Sequence, residues 1–356
     1  MDYSVTMGSF AFSPDSDRLA CCAHTKGRRP FVQILSTGEG SRRLAILEGP
    51  ALQADDGPVS QLVCAWFPDR LIFVCLARST ILVRIWDAQT FEAHFGWQDT
   101  TPIRGGTLLL SCDGRRLAVV AIYRPLDDIF LPTNTLRTAN PSLCVLWDLE
   151  TGGPREVLNA RGAADKVLAA SFDPQGERLV LSFADHAIRV WSVATRESLL
   201  SVAEPIPVEF DPRYHLYSRI MSRSSEVFSK AVVFSPDGRF LLSLRYMRIE
   251  ARRETLAMLW DSRSGRPLLR WDDTQPSGGL CRNFGLALFT PAGTHVAFTA
   301  NDGRVHMFDL SRGLWAQEDM TTQFGLRHDV TSLVLSPDGQ TLCWGTHGGQ
   351  VEIHSL

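Results

Sequence analysis

Short apolar runs separated by polar turns recur along the whole chain, and residues 231–265 show the pattern most completely. The first run ends at Ser235-Pro236-Asp237-Gly238, where proline presets φ for a tight turn and glycine accepts the positive φ that follows. Apolar runs at 240–244, 255–259 and 267–271 come next. The segment therefore predicts four antiparallel strands in a meander, joined by turns.

Six other segments repeat this frame. The proline of the first turn, or the residue in its place, stands at positions 14, 68, 112, 174, 236, 291 and 337, so the repeats are 44 to 62 residues apart. The third run of most copies ends in Trp-Asp or a close variant of it. These residues are Trp86, Asp87, Trp147, Asp148, Trp191, Trp260, Asp261, Phe308 and Asp309, and the first copy ends at Ile34-Leu35.

A repeat of four strands that ends its third strand in Trp-Asp resembles the WD40 family over nearly the full length of this chain. The resemblance implies an all-β fold, a seven-bladed WD40-type β-propeller, and the family's usual role as a rigid platform for other macromolecules. The chain departs from the family in its long insertions and in the family's buried polar network. The fourth copy keeps Ser182, Asp185 and Trp191 but has no His before its first strand. We therefore expect apolar packing to hold the blades together.

The repeats predict one domain spanning 1–356, because a propeller adds blades around a ring instead of thickening one core. The predicted blades are 9–47, 59–97, 106–158, 167–202, 230–271, 284–317 and 330–356. The last blade stops after its third strand, so we expect it to be three-stranded or closed by the short N-terminal segment. Because bare sheet edges are avoided in natural proteins, a longer chain, a short tail or a partner in a larger complex would otherwise cover it.

Composition narrows the function classes. The chain is 44% hydrophobic and 21% charged with a net charge of -3, which is typical of a soluble protein and gives no global signal for nucleic acid or membranes. The eight cysteines show no C-x-x-C pairing, which favours thiols in the core of an intracellular protein, cytoplasmic or nuclear. The six in predicted strands are Cys21, Cys22, Cys64, Cys75, Cys144 and Cys343. We expect no metal site and no cofactor.

The long insertions fall on one face of the predicted ring. In a four-stranded antiparallel blade, the first and third turns lie on one face, and the second turn and the connection to the next blade lie on the other. The first and third turns are short throughout, whereas insertions at 122–141, 203–229 and 245–254 belong to the other face of blades three to five. One face is therefore predicted to be plain, and the other to carry long loops in one sector.

This sector is rich in Tyr and Arg, the residue types enriched at binding hot spots. The candidate partner-binding residues are Tyr123, Arg124, Phe130, Arg213, Tyr214, Tyr217, Arg219, Arg245, Tyr246, Arg248, Arg252 and Arg253. The alternative is that the loops pack on one another, which suits the same residue types equally well. The basic residues Lys26, Arg28 and Arg29 lie on the same face but far round the ring, and are interpreted as a solvated turn.

The leading prediction is a non-enzymatic scaffold or sensor module that binds a protein or peptide segment, acidic or phosphorylated, on the face with the long loops. One alternative is a nucleic-acid-binding propeller that uses Arg and Tyr for phosphate contact and base stacking. Another is an enzyme with a pocket at the propeller mouth, for which Asp127, Asp128 and His215 are the candidate groups. No common catalytic or nucleotide-binding motif is present in the sequence, so no catalytic residue is predicted.

Overall fold

The computed structural model is all-β and forms a seven-bladed β-propeller. It describes residues 5–25, 29–38, 42–49, 59–77, 80–100, 107–120, 144–152, 156–158, 167–183, 186–204, 225–249, 252–272, 284–300, 305–315, 330–346 and 351–355. The described residues contain no helix that is long and apolar enough to cross a membrane.

In the described residues, six blades have four strands and the seventh has three. In chain order the strands are β1 (Val5–Phe12), β2 (Arg18–Thr25), β3 (Phe31–Ser36), β4 (Arg43–Glu48), β5 (Val59–Trp66), β6 (Arg70–Ala77), β7 (Thr80–Asp87), β8 (Ala93–Thr100), β9 (Thr107–Leu110), β10 (Arg116–Val120), β11 (Cys144–Asp148), β12 (Glu156–Leu158), β13 (Val167–Phe172), β14 (Arg178–Phe183), β15 (Ala187–Ser192), β16 (Ser198–Ala203), β17 (Ser225–Phe234), β18 (Phe240–Ile249), β19 (Arg252–Asp261), β20 (Pro267–Asp272), β21 (Phe284–Phe289), β22 (His295–Ala300), β23 (Val305–Asp309), β24 (Leu314–Trp315), β25 (Val330–Leu335), β26 (Thr341–Thr346) and β27 (Val351–Ser355). Each blade is a meander of neighbouring antiparallel strands, as the repeats predict.

The core lies between the blades, because side chains of each strand alternate between the two neighbouring blades. Trp86 of blade 2, for example, packs in a cluster with residues of blade 1, whereas Ile85 packs in a cluster with residues of blade 3. The Trp position of the third strand is buried in blades 2 to 6, where Trp86, Trp147, Trp191, Trp260 and Phe308 are all at most 5% exposed. Strand register corrects one alignment, since Leu19 pairs with Leu35 as Leu71 pairs with Trp86. In the first copy the pair equivalent to Trp-Asp is Leu35-Ser36, one residue later than the sequence comparison placed it.

The first turn of most blades is closed by its own side chains. In four of them a serine Oγ accepts a hydrogen bond of 2.9 Å from the backbone N–H five residues later, at Ser13, Ser111, Ser235 and Ser336. The same hydroxyl donates to the aspartate two residues on, for example 2.5 Å from Ser13 to Asp15. This hydrogen bond is the main cause that lowers the pKa of Asp15. Blade 4 replaces the serine with Asp173, whose carboxylate accepts from the Arg178 backbone and its guanidinium.

The aspartate of the Trp-Asp pair closes the third turn. Asp148 Oδ1 accepts from the backbone N–H groups of Glu150 and Thr151, both at 2.9 Å, and from the Thr151 hydroxyl at 3.1 Å. Asp87, Asp261 and Asp309 accept equivalent hydrogen bonds in their own turns. The Trp-Asp pair therefore combines an apolar contact between blades with local hydrogen bonds that close the turn, and both roles are structural.

The ring closes where blade 7 meets blade 1. Phe10, Phe12, Leu19 and Cys21 of blade 1 form one buried cluster with Cys343 of β26. The Asp338 N–H also donates to Ser16 Oγ at 3.4 Å, joining the first turns of the two blades. Residues 5–7 pair with β2 and so extend the first strand of blade 1. Of the two closures expected from the sequence, the described residues show the three-stranded one, because residues 5–12 belong to blade 1 and do not supply a fourth strand to blade 7.

The prediction that the cysteines in strands are core residues is confirmed. Cys21, Cys22, Cys64, Cys75, Cys144 and Cys343 are buried in the blades. Burial raises the pKa of Cys144 and of Cys343 to about 12, so neither is a reactive thiolate at neutral pH.

Candidate functional site

Blade 5 carries an extended arm on the face with the long connections. Its first three strands, β17, β18 and β19, are ten residues each, and β18 pairs with β19 without a register shift from Phe240 to Ile249. Most of the insertion predicted at 245–254 is thus a continuation of two paired strands, β18 to Ile249 and β19 from Arg252. The segment keeps the alternation of polar and apolar residues that is typical of a strand. Its composition, rich in arginine, did not indicate this.

The arm rises beyond the strands of its neighbours. By register, Arg245 occupies the place of Phe183, the last residue of β14 in blade 4, and of Ala300, the last residue of β22 in blade 6. Strand β18 continues for four residues to Ile249. At about 3.3 Å per residue, the arm extends roughly 13 Å past the second strands of both neighbours.

Strand register places three of the candidate residues on one face of the arm. Arg248 pairs directly with Arg253 of β19, and Tyr246, two residues before Arg248, shares its face. Glu226 of β17 is the partner of Arg248 on the other side. Arg252 pairs with Ile249 and so belongs to the opposite face, which is also the face of Arg245.

The base of the arm is a buried ion pair between blades 4 and 5. The Arg245 guanidinium contacts the Glu204 carboxylate through Nη2, and the side chains are 1% and 2% exposed. Glu204 directly follows β16, and its N–H donates to the His186 carbonyl at 2.8 Å. Arg245 Nη1 lies 2.6 Å from His186 Nδ1. Because a guanidinium only donates, this ring nitrogen accepts and His186 carries its proton on Nε2.

The ion pair connects to the tryptophan of blade 5. Trp260 Nε1 donates to Ser243 Oγ at 3.1 Å, deep in the blade. Ser243 in turn hydrogen-bonds the Glu204 carboxylate. Blade 5 thus has a continuous polar chain from its Trp position to the base of the arm, in an interface that is otherwise apolar.

Burial dominates the electrostatics of Glu204. Removal from water raises the pKa of its carboxyl, while Arg245 and Ser243 act in the opposite direction. A buried pair of this kind is costly to break, because the remaining charge loses its oppositely charged partner in a region that excludes water. The network therefore fixes the arm relative to blade 4 as long as both partners are present.

Arg245 was predicted to bind a partner, and the structure places it in the interface between blades 4 and 5. Its guanidinium is enclosed between two blades and engaged by Glu204, so it supports the arm from inside. Glu204 and His186 were not among the candidate residues. Alternation in β18 could have indicated the ion pair, because Leu241, Ser243 and Arg245 share the face that packs on blade 4. An arginine buried on that face requires an acidic partner.

Several predicted residues lie outside the described part of the chain. These are Tyr123, Arg124, Phe130, Arg213, Tyr214, Tyr217 and Arg219, together with Asp127, Asp128 and His215 of the enzyme alternative. For Tyr246, Arg248, Arg252 and Arg253 the structure gives the strand positions stated above. The partner-binding role of all of them stays a prediction.

Metal coordination has no candidate in the described residues, where no three His, Cys, Asp or Glu side chains are grouped to hold an ion. Comparison with known families and proteins adds no assignment. No family model matches the chain. No curated protein matches it either, so the propeller architecture and the geometry of the arm are the basis for any functional conclusion.

Proposed function

We propose that the chain is a WD40-type, non-enzymatic interaction module that binds a protein segment on the face carrying the blade 5 arm. The observation that carries the proposal is the register of the arm, which places Tyr246, Arg248 and Arg253 on one face of strands that rise above their neighbours. Binding residues commonly lie on segments that a rigid scaffold presents, and the buried Arg245–Glu204 pair supplies the rigid base.

The charge arrangement favours an acidic or phosphorylated segment. Two arginines directly opposite each other in a sheet repel, and Glu226 is the one acidic residue paired beside them. A carboxylate or phosphate bound between Arg248 and Arg253 would relieve that repulsion and accept forked hydrogen bonds from both. Tyr246 on the same face would add contact area at low entropic cost.

The test is an affinity pull-down from nuclease-treated host lysate, read by mass spectrometry, with two variants that change the net charge equally. The first is Arg248→Glu with Arg253→Glu, on the arm. The control is Arg263→Glu with Arg266→Glu, in the third turn on the other face of blade 5. We expect specific proteins that the wild type and the control capture and the arm variant loses. Phosphatase treatment of the lysate should reduce that capture if the segment is phosphorylated.

Equal capture by the arm variant and the wild type would mean that the arm is structural, and the proposal would be abandoned. The nucleic-acid-binding alternative is tested by titrating the protein directly with single-stranded RNA at increasing salt concentrations. An affinity that falls steeply with salt and depends on Arg248 and Arg253 would favour the nucleic-acid alternative.

A further inference from the structure

Among the described residues, the outer side of blade 7 has an open slot where the other six blades carry a fourth strand. In those blades the fourth strand pairs antiparallel with the third, as β16 pairs with β15. In blade 7 the third strand, β27, is the last strand of the sheet in the described part of the chain. Alternate residues of β27 therefore direct backbone N–H and C=O groups outward with no strand beside them.

Two side chains of β27 are less buried than the equivalent side chains of the other blades. Two residues of β27, Val351 and Ile353, face blade 1 and are only partly buried. In the other blades the equivalent third-strand residues are at most 8% exposed. They are Val32, Ile34, Val83, Ile85, Cys144, Leu146, Ile188, Val190, Ala257, Leu259 and Met307.

The covered blades also show which residues cover these positions. In blade 4, Ile188 pairs with Val202 and Val190 with Leu200, and both fourth-strand residues pack into the interface with blade 5. Blades 1, 2 and 5 have apolar pairs at the same places, for example Val32 with Leu47. The slot therefore calls for a strand with apolar residues at every second position.

The neighbouring blade provides an apolar wall for such a strand. Leu35 of blade 1 packs only partly buried against the blade 7 interface. In β4, Ala45 and Leu47 face blade 2, so alternation places Leu44 and Ile46 on the blade 7 side. Both are well exposed, at 42% and 48%.

The other face of β27 gives the charge preference. Glu352 alternates with Val351 and Ile353 and its side chain is 45% exposed, with His354 Nε2 at 3.3 Å. A residue directly opposite Glu352 on an added strand would lie about 5 Å from it, close enough for an ion pair. An arginine or lysine fits there, between the two apolar residues opposite Val351 and Ile353.

We infer that blade 7 binds an extended segment of another polypeptide as its fourth, antiparallel strand, with alternating apolar and basic residues. The segment completes the hydrogen bonds of β27, buries Val351 and Ile353, and pairs with Glu352. A second propeller fits less well, because β27 is recessed by one strand, about 4.8 Å, behind β4 of blade 1. Two recessed edges do not meet without a collision between their flanking strands. This site is separate from the arm and does not depend on its function.

The probe is a fluorescein-labelled, capped seven-residue peptide of alternating valine and lysine, titrated into the protein by fluorescence anisotropy. The same peptide with proline at its centre serves as the backbone control, because proline removes a hydrogen-bond donor. We expect saturable binding of the first peptide only. Hydrogen exchange of the amides of residues 351–355 should slow when the peptide is bound.

Three variants locate the site and its chemistry. Ile353→Lys should weaken binding about tenfold or more, since it places a charge toward blade 1. Leu199→Lys, an equally drastic change at an exposed outer-strand residue of blade 4, should leave binding unchanged. Glu352→Lys should reverse the charge preference, so that it binds an alternating valine–glutamate peptide more tightly than the lysine peptide. The arm variant Arg248→Glu with Arg253→Glu should bind as the wild type does.

The inference is overturned by any of the following results. The amides of 351–355 could exchange as slowly in the free protein as those of β15, which would mean that another segment of the same chain covers the edge. Light scattering could show a dimer that Ile353→Lys dissociates, which would make a second copy the occupant. Equal binding of the proline peptide, or of wild type and Ile353→Lys, would exclude strand addition.

Discussion

The two faces of the propeller are stabilised in different ways. On the face of the first and third turns, most of the described turns are closed by hydrogen bonds between residues two to five positions apart, and similar arrangements recur in several blades. On the opposite face, the best-defined feature is the cluster of Arg245, Glu204 and His186, which come from separate segments of the chain. This cluster has no counterpart in the other described blades. Local repetition builds the scaffold, and non-repeated long-range contacts distinguish one sector from the rest.

The largest expected effect comes from breaking the long-range contact. Arg245→Met should lower the free energy of unfolding by about 3–5 kcal/mol, because it leaves Glu204 buried without its cation. Arg245→Met combined with Glu204→Leu should recover most of that loss, since the pair is then replaced by apolar groups. Urea denaturation of the four members of this double-mutant cycle measures both values. A double variant as unstable as the single one would show that the charges are not the cause.

A smaller effect sharpens the comparison on the plain face. Gly265 and Gly313 occupy the same place in the third turns of blades 5 and 6, at φ +70 and +66. A methyl group at Gly265 would collide with Leu200 and Val202 of blade 4, whereas one at Gly313 would have nothing within 4 Å. Both alanine variants incur the left-handed strain of about 1–2 kcal/mol.

The collision should make Gly265→Ala about 1–3 kcal/mol more destabilising than Gly313→Ala. The difference between their urea midpoints isolates the contact between blades from the strain of the turn. If the two variants lose equal stability, the third turns act only locally, and the plain face contributes nothing to the blade 4–blade 5 interface.

The smallest effect is a pH dependence that belongs to the plain face. Backbone N–H groups lower the pKa of Asp87, Asp148 and Asp261 below 3.8. Because these pKa values are depressed in the folded state, the stability they contribute is present above about pH 4 and is lost as the pH falls through the lower folded values. Urea midpoints between pH 6 and 2.5 should fall less in Asp148→Asn with Asp261→Asn than in the wild type.

Glu204 changes the stability with pH in the opposite direction to the turn aspartates. The same experiment therefore distinguishes the contributions of the two faces. Its pKa is raised in the folded state, so the stability linked to its protonated form declines as the pH rises above the unfolded value of about 4.3. The variant that combines Arg245→Met with Glu204→Leu should lack this component and keep the acid loss of the turns. An unchanged pH profile in that variant would mean that Glu204 does not titrate differently on folding.

The blades and the plain face could be predicted from the sequence. Ser-Pro-Asp-Gly turns, alternating apolar strands and the Trp-Asp ends are local signals, and each fixes a conformation within a few residues. The number of blades, the buried Trp positions and the buried strand cysteines followed from them.

The tertiary structure decided the contacts between distant segments. Only the fold brings Glu204 beside Arg245, converts the expected insertion of blade 5 into paired strands, and shows that residues 5–7 extend blade 1 and not blade 7. The physical reason is the separation in sequence of the residues that interact. A turn is specified by neighbours that meet in every conformation, whereas a buried ion pair or an open strand edge exists only after blades distant in sequence have packed together.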